Sequence, residues 1–208
     1  MRVSDARRAL FVHVPKTGGS TIDRMMDQEI GDVRRVEGKP RHATLAGLLD
    51  AEPDLTDYWV FGFVRNPWAR MVSWWSMINS VFAAYDRGDA RVVAKIQRNP
   101  KAWLPEGEFA KDFDAFVLEG TAKIKKVGRP QVRTLNAPGR PADFVGRIET
   151  FQQDVNHVRE RLGLEALPEI PRTNRSSHGA YQDYYNEVTR RKVAEVYAED
   201  IEAFGYEF

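Results

Sequence analysis

The sequence predicts an α/β domain with three α/β/α layers around a central, mainly parallel sheet. Short runs of β-branched and aromatic residues alternate with segments whose apolar residues fall at helical spacing, the pattern of parallel strands joined by crossover helices. A glycine turn stands between the first strand and the first helix, and sheets of this kind bind ligands beyond the carboxyl ends of their strands. The chain has 208 residues, 42% of them apolar. A core of that size buries about 70% of the surface an unfolded chain exposes, so residues 1–208 are read as a single domain.

Leu10-Phe-Val-His-Val14 reads as a buried strand ended by Pro15. From Ser20 to Ile30, the residues Ile22, Met25, Met26 and Ile30 mark one helical face. A short helix is expected from Thr44 to Leu49. Tyr58 to Val64 is a fully buried strand, and Pro67 stands where the next helix begins, with Trp68, Met71, Val72, Trp75 and Phe82 on one face. Trp68, Trp74 and Trp75 are read as packing residues, and Arg70 as facing solvent or pairing with an acid. Asp143 to Ile148 is the third strand, and Thr150-Phe-Gln-Gln153 after it has the form of a capping box. Phe151, Val155, Val158 and Leu162 form that helix's stripe, and the last helix is expected from Asn186 through Tyr197 to Phe204, stopped by Gly205. Leu167 to Gly179 reads as a structured loop. The stretch 83–142 has no clear strand and carries twelve Lys/Arg against seven Asp/Glu. It is read as an insertion where an acceptor is selected or a lid formed.

With no cysteine, the chain excludes disulfide scaffolds, thiolate zinc sites, iron–sulfur clusters and cysteine nucleophiles. A net charge of +1 argues against a nucleic-acid coat. The first apolar run stops at Val14, too short for a signal peptide, and no run approaches the length of a membrane span. The expectation is a cytoplasmic protein without a transmembrane segment. Oligomeric state is not readable from the sequence.

Chemistry concentrates in Pro15-Lys-Thr-Gly-Gly-Ser-Thr21, between strand and helix, where free N–H groups and the positive helix end make an anion site. Gly18 and Gly19 let the backbone approach a phosphate, Lys16 adds a point charge, and Ser20 and Thr21 add hydroxyls. The Walker form places Lys after the glycines, whereas Lys16 precedes them. A plain connecting turn is the alternative. In Phe63-Val-Arg-Asn-Pro-Trp-Ala-Arg-Met-Val-Ser73, Arg65 stands at a strand's carboxyl end and Ser73 two turns into the next helix, which implies a ligand with a second phosphate.

These two stretches, with Asp143-Phe-Val-Gly-Arg-Ile-Glu149 and Arg172-Thr-Asn-Arg-Ser-Ser-His178, resemble sulfotransferase family 2, which includes carbohydrate 2-O- and 4-O-sulfotransferases and small bacterial members. The resemblance covers most of the chain but is thin across 83–142, so it carries over no acceptor. It implies a P-loop-like fold and an enzyme that uses 3′-phosphoadenosine 5′-phosphosulfate to sulfate a hydroxyl or amine of a small-molecule or carbohydrate acceptor. It also implies that Lys16, Thr17, Gly18, Gly19, Ser20 and Thr21 bind the 5′-phosphosulfate, that Arg65 and Ser73 hold the 3′-phosphate, and that Arg175 and Ser176 close over it. Lys16 would in addition stabilise the leaving bridging oxygen.

A hydroxyl acceptor needs a general base, and His42, between the two nucleotide motifs, is the choice. Its alternative is a cap on the Thr44–Leu49 helix. His13 is read as structural, His157 as exposed, His178 as a lid residue and Glu149 as a lesser base candidate. No cluster has metal-ligand spacing, and no metal is expected. Lys123, Lys125, Lys126, Arg129 and Arg133 either attract an acidic acceptor or form a solvated loop. The competing functions are a phosphotransferase of similar architecture and a non-catalytic nucleotide-binding module.

Overall fold

The computed structural model describes residues 1–171 and 179–208. In chain order the first elements are β1 (Arg2–Ser4), β2 (Ala9–Val12), α1 (Gly19–Glu29), β3 (Val33–Arg34), α2 (Leu45–Leu49), a 3-10 turn (Pro53–Asp57), β4 (Trp59–Val64) and α3 (Pro67–Asp86). They are followed by α4 (Ala90–Arg98), α5 (Pro100–Gly107), α6 (Phe113–Ala115), a π turn (Phe116–Gly120), α7 (Thr121–Lys123) and α8 (Val132–Leu135). The chain continues through β5 (Phe144–Arg147), α9 (Phe151–Arg161), a second 3-10 turn (Tyr181–Tyr184), α10 (Glu187–Val196) and α11 (Ala198–Phe204). Contacts divide the chain into two compact units, Met1–Arg65 with Gln131–Arg175 and Asn66–Pro130 with Ser176–Phe208.

The first unit holds a five-stranded sheet of order β3-β1-β2-β4-β5. β2, β4 and β5 run parallel, with Phe11, Phe61 and Phe144 side by side in register, and β1 pairs antiparallel with both β2 and β3. Ala9, Phe11, Phe61 and Phe63 bury one sheet face against Ile22, Met25 and Met26 of α1 and Phe151, Val155 and Val158 of α9. On the opposite face Gly62 lies against Leu135 of α8, so close that a Cβ there would collide with the leucine. Helices therefore cover both faces of a mainly parallel sheet, as the alternation of patterns requires. β1 and β3 are additions to the sequence expectation, and they form an antiparallel edge. The first parallel strand stops at Val12 rather than Val14, where its ladder with β4 ends.

The capping box expected at Thr150 does not form. Thr150 makes no side-chain cap, and its hydroxyl donates instead to Asp154 Oδ2 at 2.7 Å, an oxygen that also accepts the Arg147 N–H. Ion-acceptor hydrogen bonds are stronger than a neutral cap, so the carboxylate one turn along wins.

In the second unit Asn66 caps α3, its Oδ1 accepting from the N–H groups of Trp68 and Ala69 with Pro67 at the first position. Trp68, Met71, Val72, Trp74 and Ile78 join Phe113, Phe116, Val117, Val193 and Tyr197 in one core. The reading of the tryptophans as packing residues agrees with this: Trp68 Nε1 donates to the Arg190 carbonyl and Trp74 Nε1 to Glu106. Arg70 does not face solvent. It is 1% exposed and lies over the rings of Trp74 and Tyr197, and Asp200, also buried, supplies the carboxylate charge that acts on it. The last helix starts where expected, with a capping box between Asn186 and Thr189, and stops at Gly205 with φ +61°. It is broken at Tyr197, whose backbone leaves the helical region while its buried hydroxyl donates to the Val127 carbonyl. No helix among the described residues is long and apolar enough to cross a membrane.

Candidate functional site

The carboxyl ends of β2, β4 and β5 lie along one edge of the first unit's sheet, because the three strands are parallel and in register. β2 leads into the glycine loop, β4 into Arg65 and β5 into Glu149, which is exposed. The loop has an unusual backbone. Lys16 has φ +71° and Gly18 φ +78°, and a left-handed conformation in a lysine costs about 1 kcal/mol. α1 begins at Gly19 without any side-chain cap; the Thr21 N–H turns back to the Gly18 carbonyl at 2.9 Å, so the N–H groups of Gly19 and Ser20 are the ones an anion would meet.

Both glycines are required by their neighbours. A Cβ on Gly18 would lie 2.7 Å from Phe151 and 2.8 Å from Ile148, and one on Gly19 would collide with the His13 ring. Thr17 is fully buried and its hydroxyl donates to the Val14 carbonyl at 2.9 Å. Its side chain therefore braces the loop, and what Thr17 can offer a ligand is its backbone. Ser20 Oγ accepts from Arg41 at 3.0 Å.

Around this loop the fold assembles a polar cluster. His13 Nδ1 lies 3.1 Å from Asp23 Oδ2, and the same carboxylate takes Arg41 Nε at 2.9 Å, with Arg2 3.6 Å from its other oxygen. Burial raises the Asp23 pKa, but the His13 hydrogen bond and the surrounding positive charges hold it well below the usual carboxylate range. An ionised carboxylate only accepts, so His13 carries its proton on Nδ1. Burial pushes the His13 pKa down to about 4 despite the pull of Asp23.

His42 stands over this cluster, its ring edge-on to His13 with centroids 4.6 Å apart. Its Nδ1 is 2.9 Å from the His13 carbonyl oxygen. A carbonyl only accepts, so Nδ1 holds the proton and Nε2 keeps its lone pair. Burial and the adjacent His13 and Arg41 push the His42 pKa down to about 3, which keeps the imidazole neutral at neutral pH. The helix-capping alternative is excluded by the structure, since the cap of α2 is Thr44, whose Oγ1 accepts the Gly47 N–H.

The structure thus gathers Lys16 to Thr21, His13 and His42 in one unit. Arg65 belongs to that unit too, its N–H and C=O both bonded to the buried side-chain amide of Gln131 at 3.0 and 2.8 Å. Ser73 is buried on α3 in the second unit. Arg175, Ser176 and His178 fall outside the described residues. His157 is exposed as expected, and its ring packs on Phe144. Among the described residues no group of His, Asp or Glu could hold a metal ion. Sequence reasoning passed over Asp23, Arg41 and Arg2. Asp23 and Arg41 are separated by 18 residues, and no local spacing signals their meeting.

The chain is similar to "Carbohydrate sulfotransferase 14" of Danio rerio, with 24% identity over 203 residues that make up 90% of this chain and 53% of the relative. It thus spans about half the length of that curated protein. No solved structure matches significantly. The sequence profile of the sulfotransferase family matches residues 1–207, from β1 through α11, and the chain belongs to that family.

Proposed function

We propose that the protein transfers a sulfuryl group from 3′-phosphoadenosine 5′-phosphosulfate to a hydroxyl of a carbohydrate acceptor, with His42 as general base. The observation that carries this reading is the hydrogen bond from His42 Nδ1 to the His13 carbonyl, which leaves Nε2 unprotonated beside a loop suited to a phosphosulfate. The acceptor oxygen attacks sulfur, its proton passes to Nε2, and the bond from sulfur to the bridging oxygen breaks. The uncapped start of α1 takes the 5′-phosphate, and the Lys16 ammonium meets the charge that grows on the departing oxygen. The assignment of the 3′-phosphate to Arg65 and Ser73 rests on their motif, and that of a carbohydrate acceptor on the relative's name.

Titration calorimetry with 3′-phosphoadenosine 5′-phosphate against ADP and ATP, each with and without Mg²⁺, tests the donor assignment. Metal-independent binding that requires the 3′-phosphate is expected. A preference for ATP with Mg²⁺ would instead make the protein a phosphotransferase.

A further inference from the structure

A groove of about 410 Å³ opens beside the glycine loop, lined by Ser20, Asp23, Arg24, Asp27 and Gln28 of α1 and by Arg2, Arg35 and Arg41. Its α1 residues recur at helical spacing along one face, from the loop itself to two turns beyond, about 12 Å of helix. Arg41, which precedes the base His42, forms part of the wall. The groove therefore begins at the reacting end of the site and leads away from it.

Its charges do not balance. Asp27 is taken by Arg2 in a two-pronged pair at 2.6 and 2.7 Å, and Asp23 by Arg41 and His13. Arg24 and Arg35 are exposed, and neither makes an ion pair among the described residues. Four guanidinium groups face two carboxylates, both of them already engaged, so the groove carries an excess charge of two and two guanidinium forks that can each take two oxygens of an oxyanion.

Resting on the sulfotransferase reading above, we propose that this groove seats the acceptor and that Arg24 and Arg35 hold an anionic substituent on it, a carboxylate or a sulfate ester of a sugar. The reactive hydroxyl then lies at the Ser20 end, near Nε2 of His42, and the charged substituent sits farther along α1. Arg2 and Arg41 shape the wall through Asp27 and Asp23 and are not free to do the same work.

The test titrates the intact protein with a glucuronate-containing tetrasaccharide, its sulfated form and a neutral tetrasaccharide, with and without 3′-phosphoadenosine 5′-phosphate. The variants are Arg24→Ala/Arg35→Ala and Arg24→Lys/Arg35→Lys; both positions are exposed, so folding is not at stake. The wild type is expected to favour an anionic sugar by about tenfold or more, the double alanine variant to lose that preference, and the lysine variant to keep part of it. Nucleotide affinity should stay within about twofold throughout, since neither arginine belongs to the loop. Whether the plain or the sulfated sugar binds better identifies the anion. Equal binding of neutral and anionic sugars by the wild type, or a preference that survives the double alanine change, overturns the proposal. Loss of nucleotide binding by the wild type would refute the donor assignment instead, and the nucleotide-free titrations keep the two failures apart.

Discussion

Two regions of this molecule are rich in cations, and they differ in what meets the charge. In the second unit, Lys123 pairs with Glu119 at 2.7 Å one helical turn away, and Lys126 lies 3.3 Å from Glu106. In the first unit the acids of the groove are claimed by Arg2 and Arg41, from separate segments, and Arg24 and Arg35 are left over. A run of basic residues in the sequence marks the first kind of region. Only the pairing of each acid marks the second, because the arginines that claim the groove's acids come from far along the chain.

The largest effects expected belong to the first unit. His42→Ala should lower kcat by about 10² to 10⁴ while nucleotide binding persists, and single-turnover assays beside calorimetry would show it; unchanged turnover would remove His42 as the base. Lys16→Ala should cost about 10² to 10³ in kcat and weaken the nucleotide as well. Retained activity there would sink the phosphate-loop assignment.

Protonation offers a sharper contrast. The folded protein holds His13 near 4 and His42 near 3, whereas an unfolded chain protonates both from 6.5 downward. The unfolded state binds more protons over that window, so stability is complete above 6.5 and lost as the pH falls, by at most about 2 kcal/mol per histidine at pH 5. Denaturant melts at pH 7 and pH 5 measure it, and His42→Gln should flatten the dependence. Arg65→Ala should weaken nucleotides bearing a 3′-phosphate by about tenfold and leave those without it nearly unchanged; equal losses would give Arg65 another task. Smallest of all, Lys123→Ala/Lys126→Ala should leave anionic-sugar affinity within about twofold, since both lysines are already paired with carboxylates. A large loss there would move the acceptor's anion to the second unit.

Much of this was legible in the sequence. The spacing of Ile22, Met25 and Met26 marks α1, and the Gly18-Gly19 pair marks the turn, because both signals are local. Arg2–Ser4 and Val33–Arg34 escape notice as strands, being three and two residues long and stabilised chiefly by pairing with each other and with β2. Thr150 misleads because a box pattern cannot show that Asp154 competes for the hydroxyl. His42 can be singled out as a base from its position, but its tautomer depends on the carbonyl of His13, 29 residues earlier, and only the folded chain supplies that contact.

The left-handed backbone of Lys16 sets two kinds of selection against each other. Glycine would adopt that conformation without strain, so a screen for heat resistance should favour Lys16→Gly, and a screen for turnover should reject it. A library sorted by both criteria would then find its sharpest conflict at this position, and variants that melt later there should be the ones that no longer react.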